Sequence, residues 1–205
     1  MNRAIVICTS ARRGEQLTNL LDSFGSYRRF PFWIVMNDAP KESFEYLDWL
    51  EKNFKLVTLE GNYWELGAIE SMLMYGVDEF FLLQDSVEVF DTSFIDDAFE
   101  RFPGQSVAFD RHFSHYMGKY RREVLQRMRP LPKVTSKEEA IYQEFKFVQN
   151  YVKYEWREIP VLDDKFADNN PDNYWEEQFG RRNLVLVSKY LKKYKGTVGQ
   201  WVGEI

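Results

Sequence analysis

Apolar runs and amphipathic segments alternate through the first half of the chain. Short apolar runs predict four buried strands, at residues 4–8, 32–36, 56–59 and 80–83. Apolar residues spaced as on one face of a helix predict three helices between them, around residues 17–24, 44–54 and 66–73. Gly25 and Gly76 are typical helix ends. Strands that alternate with helices in this way predict an α/β fold with a mostly parallel central sheet flanked by helices.

The second half has a less regular pattern. Apolar spacing predicts helices at residues 94–102, 116–128 and 141–152, and Ser136 with Glu139 forms a capping box before the last of them. Residues 106–109 and 158–162 are predicted strands. The segment 183–194 is undecided between strand and helix, because its LVLV run suits a strand whereas its basic residues suit a helix. Without a repeat or a linker, we expect one domain over residues 1–205.

Composition narrows the function classes. The chain has 205 residues with 27 Lys+Arg and 32 Asp+Glu, a net charge of −5 that argues weakly against a general nucleic-acid-binding protein. Hydrophobic residues at 44% exclude a disordered chain. No apolar run reaches the roughly 18 residues of a transmembrane helix, and no segment reads as a signal peptide. The single Cys8 fits a reducing compartment, so we expect a cytoplasmic protein.

Charge is unevenly distributed. Residues 78–100 carry eight acids and no base, whereas bases are concentrated at residues 111–129 and 181–195. Two interpretations stay open at this point. The charges are solvated helix faces, or they form an acidic metal-binding edge that faces a basic phosphate-binding edge.

Polar residues follow each of the four predicted strands. In an open parallel sheet, ligands bind at the carboxyl ends of the strands, so these residues are the candidates. They are Thr9, Ser10, Arg12 and Arg13, then Asn37 and Asp38, then Glu60 and Asn62, then Gln84, Asp85 and Ser86. A carboxylate after the second strand can accept hydrogen bonds from a base or ribose, and one after the fourth can hold a divalent metal. The competing interpretation is that Asp38 and Ser86 are turn or cap residues.

These stretches resemble a known family. ICTSAR at residues 7–12, IVMND at 34–38, NYWELGA at 62–68 and FFLLQDSVEV at 80–89 are similar, in order, to nucleotide-sugar glycosyltransferases of the GT-A fold. The closest group is the large inverting family related to bacterial polysaccharide synthases. The resemblance covers about residues 4–90. It implies a Rossmann-like single-domain fold in which about residues 1–110 bind the nucleotide sugar and about residues 111–205 hold the acceptor and a basic tail.

The resemblance also implies roles for individual residues. Thr9, Ser10, Arg12 and Asp38 contact the nucleoside, and the segment from Asn62 to Gly67 opens the helix beneath the diphosphate. The family's Asp-x-Asp falls on Gln84-Asp85-Ser86, which leaves Asp85 as the only carboxylate and the only candidate ligand for Mn²⁺ or Mg²⁺.

With that motif degenerate, two arrangements stay open. Asp85 supplies the one direct carboxylate to a metal, or basic side chains neutralise the diphosphate without a tight metal. The candidates for the second arrangement are Arg181, Arg182 and Lys195.

Transfer with inversion needs a base for the acceptor hydroxyl, and the candidates are Asp110, Asp163 and Asp164. The function expected is transfer of a sugar from a nucleotide-diphosphate donor to a glycan or a small hydroxyl acceptor, with a nucleic-acid acceptor less favoured. Two alternatives stay open: a non-catalytic binding or assembly module, and a nucleotidyltransferase.

Overall fold

Four strands form the parallel part of the main sheet, as the apolar runs predict. The computed structural model describes residues 1–39, 45–109, 117–163, 177–179 and 182–194. The four strands are β1 (Arg3–Ser10), β2 (Phe32–Asn37), β3 (Lys55–Thr58) and β4 (Glu79–Gln84). β1 lies between β2 and β4, with Ile7 opposite both Ile34 and Leu83, and β3 lies outside β2.

Helices cover both faces of this sheet, which is why β2 is buried along its whole length. On one face lie α1 (Gly14–Ser23), α2 (Glu45–Asn53) and α4 (Ser93–Glu100), packed against alternate strand residues such as Ile5 and Ile34. On the other face lie α3 (Trp64–Met74), α5 (Arg122–Arg127) and α6 (Lys137–Glu155), packed against Val6 and Val35. The mostly parallel, Rossmann-like α/β architecture is confirmed.

Two more strands extend the sheet, one of them antiparallel to both of its neighbours, and they correct one prediction. Residues 118–121 form β7 (Gly118–Arg121) instead of the start of a helix, and β7 pairs with β4 and with β6 (Val107–Ala108). A spacing of four fits both a helical turn and the two-residue alternation of a strand. Packing decides, because Tyr120 is fully buried with its ring stacked on that of Phe80, 5.6 Å between centroids.

The chain returns to this sheet after α6, as predicted for residues 158–162. Ser136 accepts a hydrogen bond from the Glu139 amide (3.2 Å), so the predicted cap is present, and Trp156 ends the helix with φ +65°. Residues 160–163 then run parallel to β6: Ala108 N donates to Pro160 O (2.9 Å) and Asp163 N to Phe109 O (3.0 Å).

A second, antiparallel sheet has the strand order β5 (Val87–Val89), β10 (Leu191–Tyr194), β9 (Arg182–Val187), β8 (Glu177–Phe179). This settles the open segment 183–194 as strands. It also sets Lys192 opposite Glu88, so a basic strand pairs with an acidic one. Within the described ranges, no helix combines the length and apolar character of a membrane span. The single-domain prediction stays a prediction.

Candidate active site

A polar cavity of about 110 Å³ lies at the carboxyl ends of β1, β2 and β4. The β1 end contributes Cys8, Thr9, Ser10 and, just beyond it, Arg13. The remaining wall comes from the last residue of β2, the start of α3 and the last residue of β4: Asn37, Asn62, Trp64, Glu65 and Gln84. The place is the one that the parallel sheet predicts for a ligand.

Asn37 ties the three sides of this cavity together. Its side chain is almost fully buried, with Nδ2 donating to the Thr9 carbonyl (3.1 Å) and, more weakly, to the Trp64 carbonyl (3.4 Å). Its Oδ1 accepts a hydrogen bond from the Tyr63 amide (2.9 Å). One amide side chain therefore fixes β1 and the start of α3 relative to β2.

Gly67 allows α3 to approach this wall closely. A Cβ at this position would lie 2.7 Å from Tyr63 Cβ, 2.9 Å from Leu59 Cδ1 and 3.3 Å from Asn37 Oδ1. The first two distances are shorter than van der Waals contact permits. Gly67 therefore lies behind the cavity wall, where it sets the position of Tyr63 and Asn37.

Two residues beside the cavity have left-handed backbone conformations that only glycine adopts freely. Asp38 has φ +50° and Trp64 has φ +49°. The Asp38 amide donates to Gly61 O (3.2 Å), and the Trp64 amide donates to Asn62 Oδ1 (3.2 Å), and both bonds hold the strained geometry. Such strain costs about 1–3 kcal/mol per residue and is concentrated at functional sites.

Asp85 is buried beside the cavity, in an ion pair with Arg13. Arg13 Nη1 donates to Asp85 Oδ1 (2.8 Å), and Thr9 Oγ1 donates to Asp85 Oδ2 (2.7 Å). Burial raises the pKa of Asp85 above its ordinary value, and the charge of Arg13 with the hydrogen bond from Thr9 offsets only part of that rise. Both oxygens of this carboxylate are thus occupied by protein donors.

The neighbouring polar groups are also bonded to one another. Gln84 Nε2 donates to Glu65 Oε1, and the Ser86 hydroxyl donates to Gln84 Oε1 (3.4 Å). Burial, followed by the charges of Glu65 and Asp85, raises the pKa of Cys8 well above its ordinary value. A raised pKa favours the protonated thiol and so disfavours Cys8 as a nucleophile.

The donor set does not fit a divalent metal at Asp85. Mg²⁺ and Mn²⁺ need several open oxygen ligands, whereas Asp85 is shielded and lies against a guanidinium. Across the part of the chain that the structure describes, no three His, Cys, Asp or Glu side chains are grouped to hold an ion.

The structure brings together some predicted residues and not others. Thr9, Ser10, Asn62 and Gln84 line the cavity, and Asp85 and Ser86 are buried beside them. Arg12 is exposed, Asp38 is half-buried, and neither lines the cavity. Asp163 is buried at the end of the segment beside β6. Four candidates lie outside the described residues, Asp110, Asp164, Arg181 and Lys195, and only the backbone of Arg182 is described, in β9.

Sequence reasoning placed Arg13 and Asn37 among the polar residues after the strands but assigned a role to neither of them, nor to Glu65. The signal for Arg13 was present, since Arg13, Leu17 and Leu20 share one helical face, whereas Arg12 shares a face with the exposed Glu15. Asn37 was passed over for Asp38, although a polar residue that closes a wholly buried strand must find partners inside the protein.

The acid-rich segment 78–100 is engaged largely in structural ion pairs. Arg3 binds Glu79 (3.1 Å), Arg29 binds Asp96 (3.3 Å) and Glu100, and Arg101 binds Asp97 (3.2 Å). These contacts do not support the metal-binding edge, and they add ion pairs to the alternative of solvated helix faces.

Solved structures share the fold. A fragment of Staphylococcus aureus TarS, residues 1–349 in complex with UDP-GlcNAc, is similar at a TM-score of 0.58 and 15% identity, over 80% of this chain and 57% of that one. A cytidylyltransferase from Leptospira borgpetersenii is similar at a TM-score of 0.56 and 14% identity, over 85% of this chain and 84% of that one. The chain thus spans little more than half of the TarS fragment. These likenesses confirm a GT-A-like fold. No protein-family model and no curated protein matches the sequence.

Proposed function

We propose that this protein binds a nucleotide-diphosphate sugar at the cavity and transfers the sugar to a hydroxyl acceptor. The observation that carries the proposal is the convergence of Thr9, Arg13, Asn62 and Gln84 on one polar cavity at the strand ends of a GT-A-like sheet. The backbone strain at Asp38 and Trp64 beside it supports a binding role, because such strain persists where the surroundings enforce it.

The cavity accommodates only part of such a donor. Its volume of about 110 Å³ is well below the roughly 300–1,000 Å³ of sites that enclose a whole small molecule. Its lining is polar and includes a guanidinium, which suits a diphosphate. We therefore assign the diphosphate to the side with Arg13 and Asn62, and the nucleoside to Thr9, Ser10, Arg12 and Asp38. Arg181, Arg182 and Lys195 are proposed to neutralise the same diphosphate.

The proposed reaction is a displacement at the anomeric carbon. The acceptor oxygen forms a bond to the anomeric carbon while the bond between that carbon and the β-phosphate oxygen breaks. The nucleoside diphosphate leaves with the electron pair of the broken bond. The acceptor proton passes to a carboxylate, for which Asp110, Asp163 and Asp164 are the candidates. Asp163 follows a segment that runs parallel to β6, hence toward the carboxyl edge where the cavity lies.

The test is binding followed by turnover. Thermal shift and calorimetry with UDP-, GDP-, CDP- and ADP-sugars should identify one donor, and release of its nucleoside diphosphate should increase when sugar acceptors are added. Asn62→Ala should weaken that binding, while Asn53→Ala, an exposed asparagine at the end of α2, should not. Absence of binding by every donor would refute the proposal.

A nucleotidyltransferase is the second candidate, favoured by the likeness to a cytidylyltransferase over more than four fifths of both chains. The two reactions leave different products. Nucleotidyl transfer consumes a nucleoside triphosphate and a sugar phosphate and releases pyrophosphate, whereas sugar transfer releases a nucleoside diphosphate. Tight donor binding with neither product would instead indicate a non-catalytic module.

A further inference from the structure

We propose that the Arg13–Asp85 ion pair takes the place of a divalent-metal centre, and that the Arg13 guanidinium itself is the cation that contacts the diphosphate. This inference rests on the proposed function and specifies how its site holds the donor. It makes Arg13 a binding residue and Asp85 a positioning residue, and it predicts that nucleotide binding needs no metal.

Asp85, which a metal would require as an open ligand, is enclosed by protein. Its side chain has no exposed surface, and its two oxygens accept hydrogen bonds from Arg13 (2.8 Å) and Thr9 (2.7 Å). A divalent ion would have to reach this buried carboxylate beside both donors and lie against a guanidinium charge. The flanking Gln84 and Ser86 are neutral and are bonded to Glu65 and to each other, so they add no anionic ligand.

Arg13 has the exposure to the cavity that Asp85 lacks. Its side chain is 32% exposed and lines the cavity, while its Nη1 donates to Asp85. A guanidinium carries five N–H donors in a planar fork, more than one carboxylate can use. Its geometry matches two phosphate oxygens, and it remains charged at any physiological pH.

The pairing of β1 with β4 supports the orientation of Arg13. Thr9 and Arg13 lie at the end of β1 and the start of α1, and both bind the same carboxylate at the end of β4. The pairing of β1 with β4 fixes the distance between these ends. The cation is therefore held in place before a ligand arrives, so little ordering cost remains at binding.

The experiment compares nucleotide binding with and without metal. The probes are inorganic pyrophosphate and UDP, GDP, CDP and ADP, titrated calorimetrically into the full chain in EDTA and then in excess Mn²⁺. We expect one of the diphosphates to bind with a Kd that differs less than about twofold between the two conditions. Direct titration with Mn²⁺ alone should show no binding at the site.

Variants separate the two roles. Arg13→Ala should weaken diphosphate binding roughly ten- to a hundredfold, the value of a lost charge-assisted hydrogen bond, and Arg13→Lys should weaken it less. Asp85→Asn, which keeps the shape, should change the Kd by the same factor in EDTA and in Mn²⁺. Arg101→Ala removes an equal charge from an exposed site on α4 and should leave the Kd unchanged. Circular dichroism establishes that each variant is folded.

The outcomes are distinguishable. Binding that appears only with Mn²⁺ and is abolished by Asp85→Asn would overturn the ion-pair inference and leave the proposed function standing. Diphosphate binding that Arg13→Ala does not weaken would also overturn it. Failure of every diphosphate and sugar nucleotide to bind in both conditions would overturn the inference together with the proposed function.

Discussion

Lys119 gives a quantitative test of the structure, because its charged group is buried. Its side chain has no exposed surface, and Nζ donates to the Phe102 carbonyl (2.6 Å) and lies 3.9 Å from Glu79 Oε2. Burial lowers the pKa of Lys119 to about 8, against the attraction of Glu79 and Glu155 and with the repulsion of Arg3 and Arg121. The unfolded chain retains the ordinary value of 10.5.

The sign of the effect follows from this difference. Between about pH 8 and 10.5 the unfolded chain holds the Lys119 proton while the folded protein has lost it, so stability rises with pH in that window. At about 1.4 kcal/mol for each pH unit, the full difference is about 3 kcal/mol. Below about pH 8 both states are protonated, and the whole cost of burying the charge is present.

Denaturant unfolding of the wild type and of Lys119→Met across this window measures the effect. Met fills similar space without a charge. Subtracting the unfolding free energy of the variant from that of the wild type at each pH therefore removes the contributions of the other titrating groups. The wild type should gain up to about 3 kcal/mol relative to the variant as pH rises from about 7 to 10. A difference that stays constant across this window would refute the placement of a charged Lys119 in the interior.

Two further predictions concern the cavity wall. Gly67→Ala should destabilise the protein by about 1–2 kcal/mol, because the cost of overpacking, about 1–3 kcal/mol, exceeds the gain of up to about 1 kcal/mol in helix propensity. The same substitution should weaken donor binding, because the added methyl group displaces Asn37 and Tyr63. Denaturation and calorimetry measure the two effects, and a variant with wild-type values of both would contradict the packing described. Because Cys8 is buried and its pKa is raised, it should resist iodoacetamide in the folded protein and react after denaturation. Mass spectrometry measures the labelling, and rapid labelling of Cys8 in the folded protein would contradict its burial.

Hydrophobic periodicity was sufficient to predict the strands and helices of the first half of the chain, and it was less reliable for the second half. The strands β1, β2 and β4 are continuous apolar runs buried on both faces, a pattern with few other interpretations, whereas β3 is an edge strand in which only Val57 is buried. β7 was mistaken for a helix because a four-residue spacing fits both periods, and only its pairing between β4 and β6 distinguishes them. The strands β9 and β10 stayed undecided because their partners, β5 and β8, are distant in sequence or very short.

The candidate site was predictable in place and only partly in residue identity. Ligands bind at the carboxyl ends of the strands in a parallel sheet, and this rule correctly predicted residues in or beside the cavity: Thr9, Ser10, Asn62, Gln84 and Asp85. It could not choose between adjacent residues such as Asn37 and Asp38, because that choice depends on which side chain turns inward. Nor could it show that Asp85 faces Arg13, since a contact between residues 72 positions apart exists only in the folded chain.

The pairing of β5 with β10 has a consequence for the order of folding. β5 starts immediately after the cavity residues of β4, but its partner follows roughly 100 residues later, so this contact carries a large loop-closure cost. A chain emerging from the ribosome can therefore assemble β1 to β4 while β5 still lacks its neighbour. Stalled nascent chains that end before residue 191 should already protect β1 and β4 from hydrogen exchange while leaving β5 unprotected, so the cavity precedes the second sheet in time.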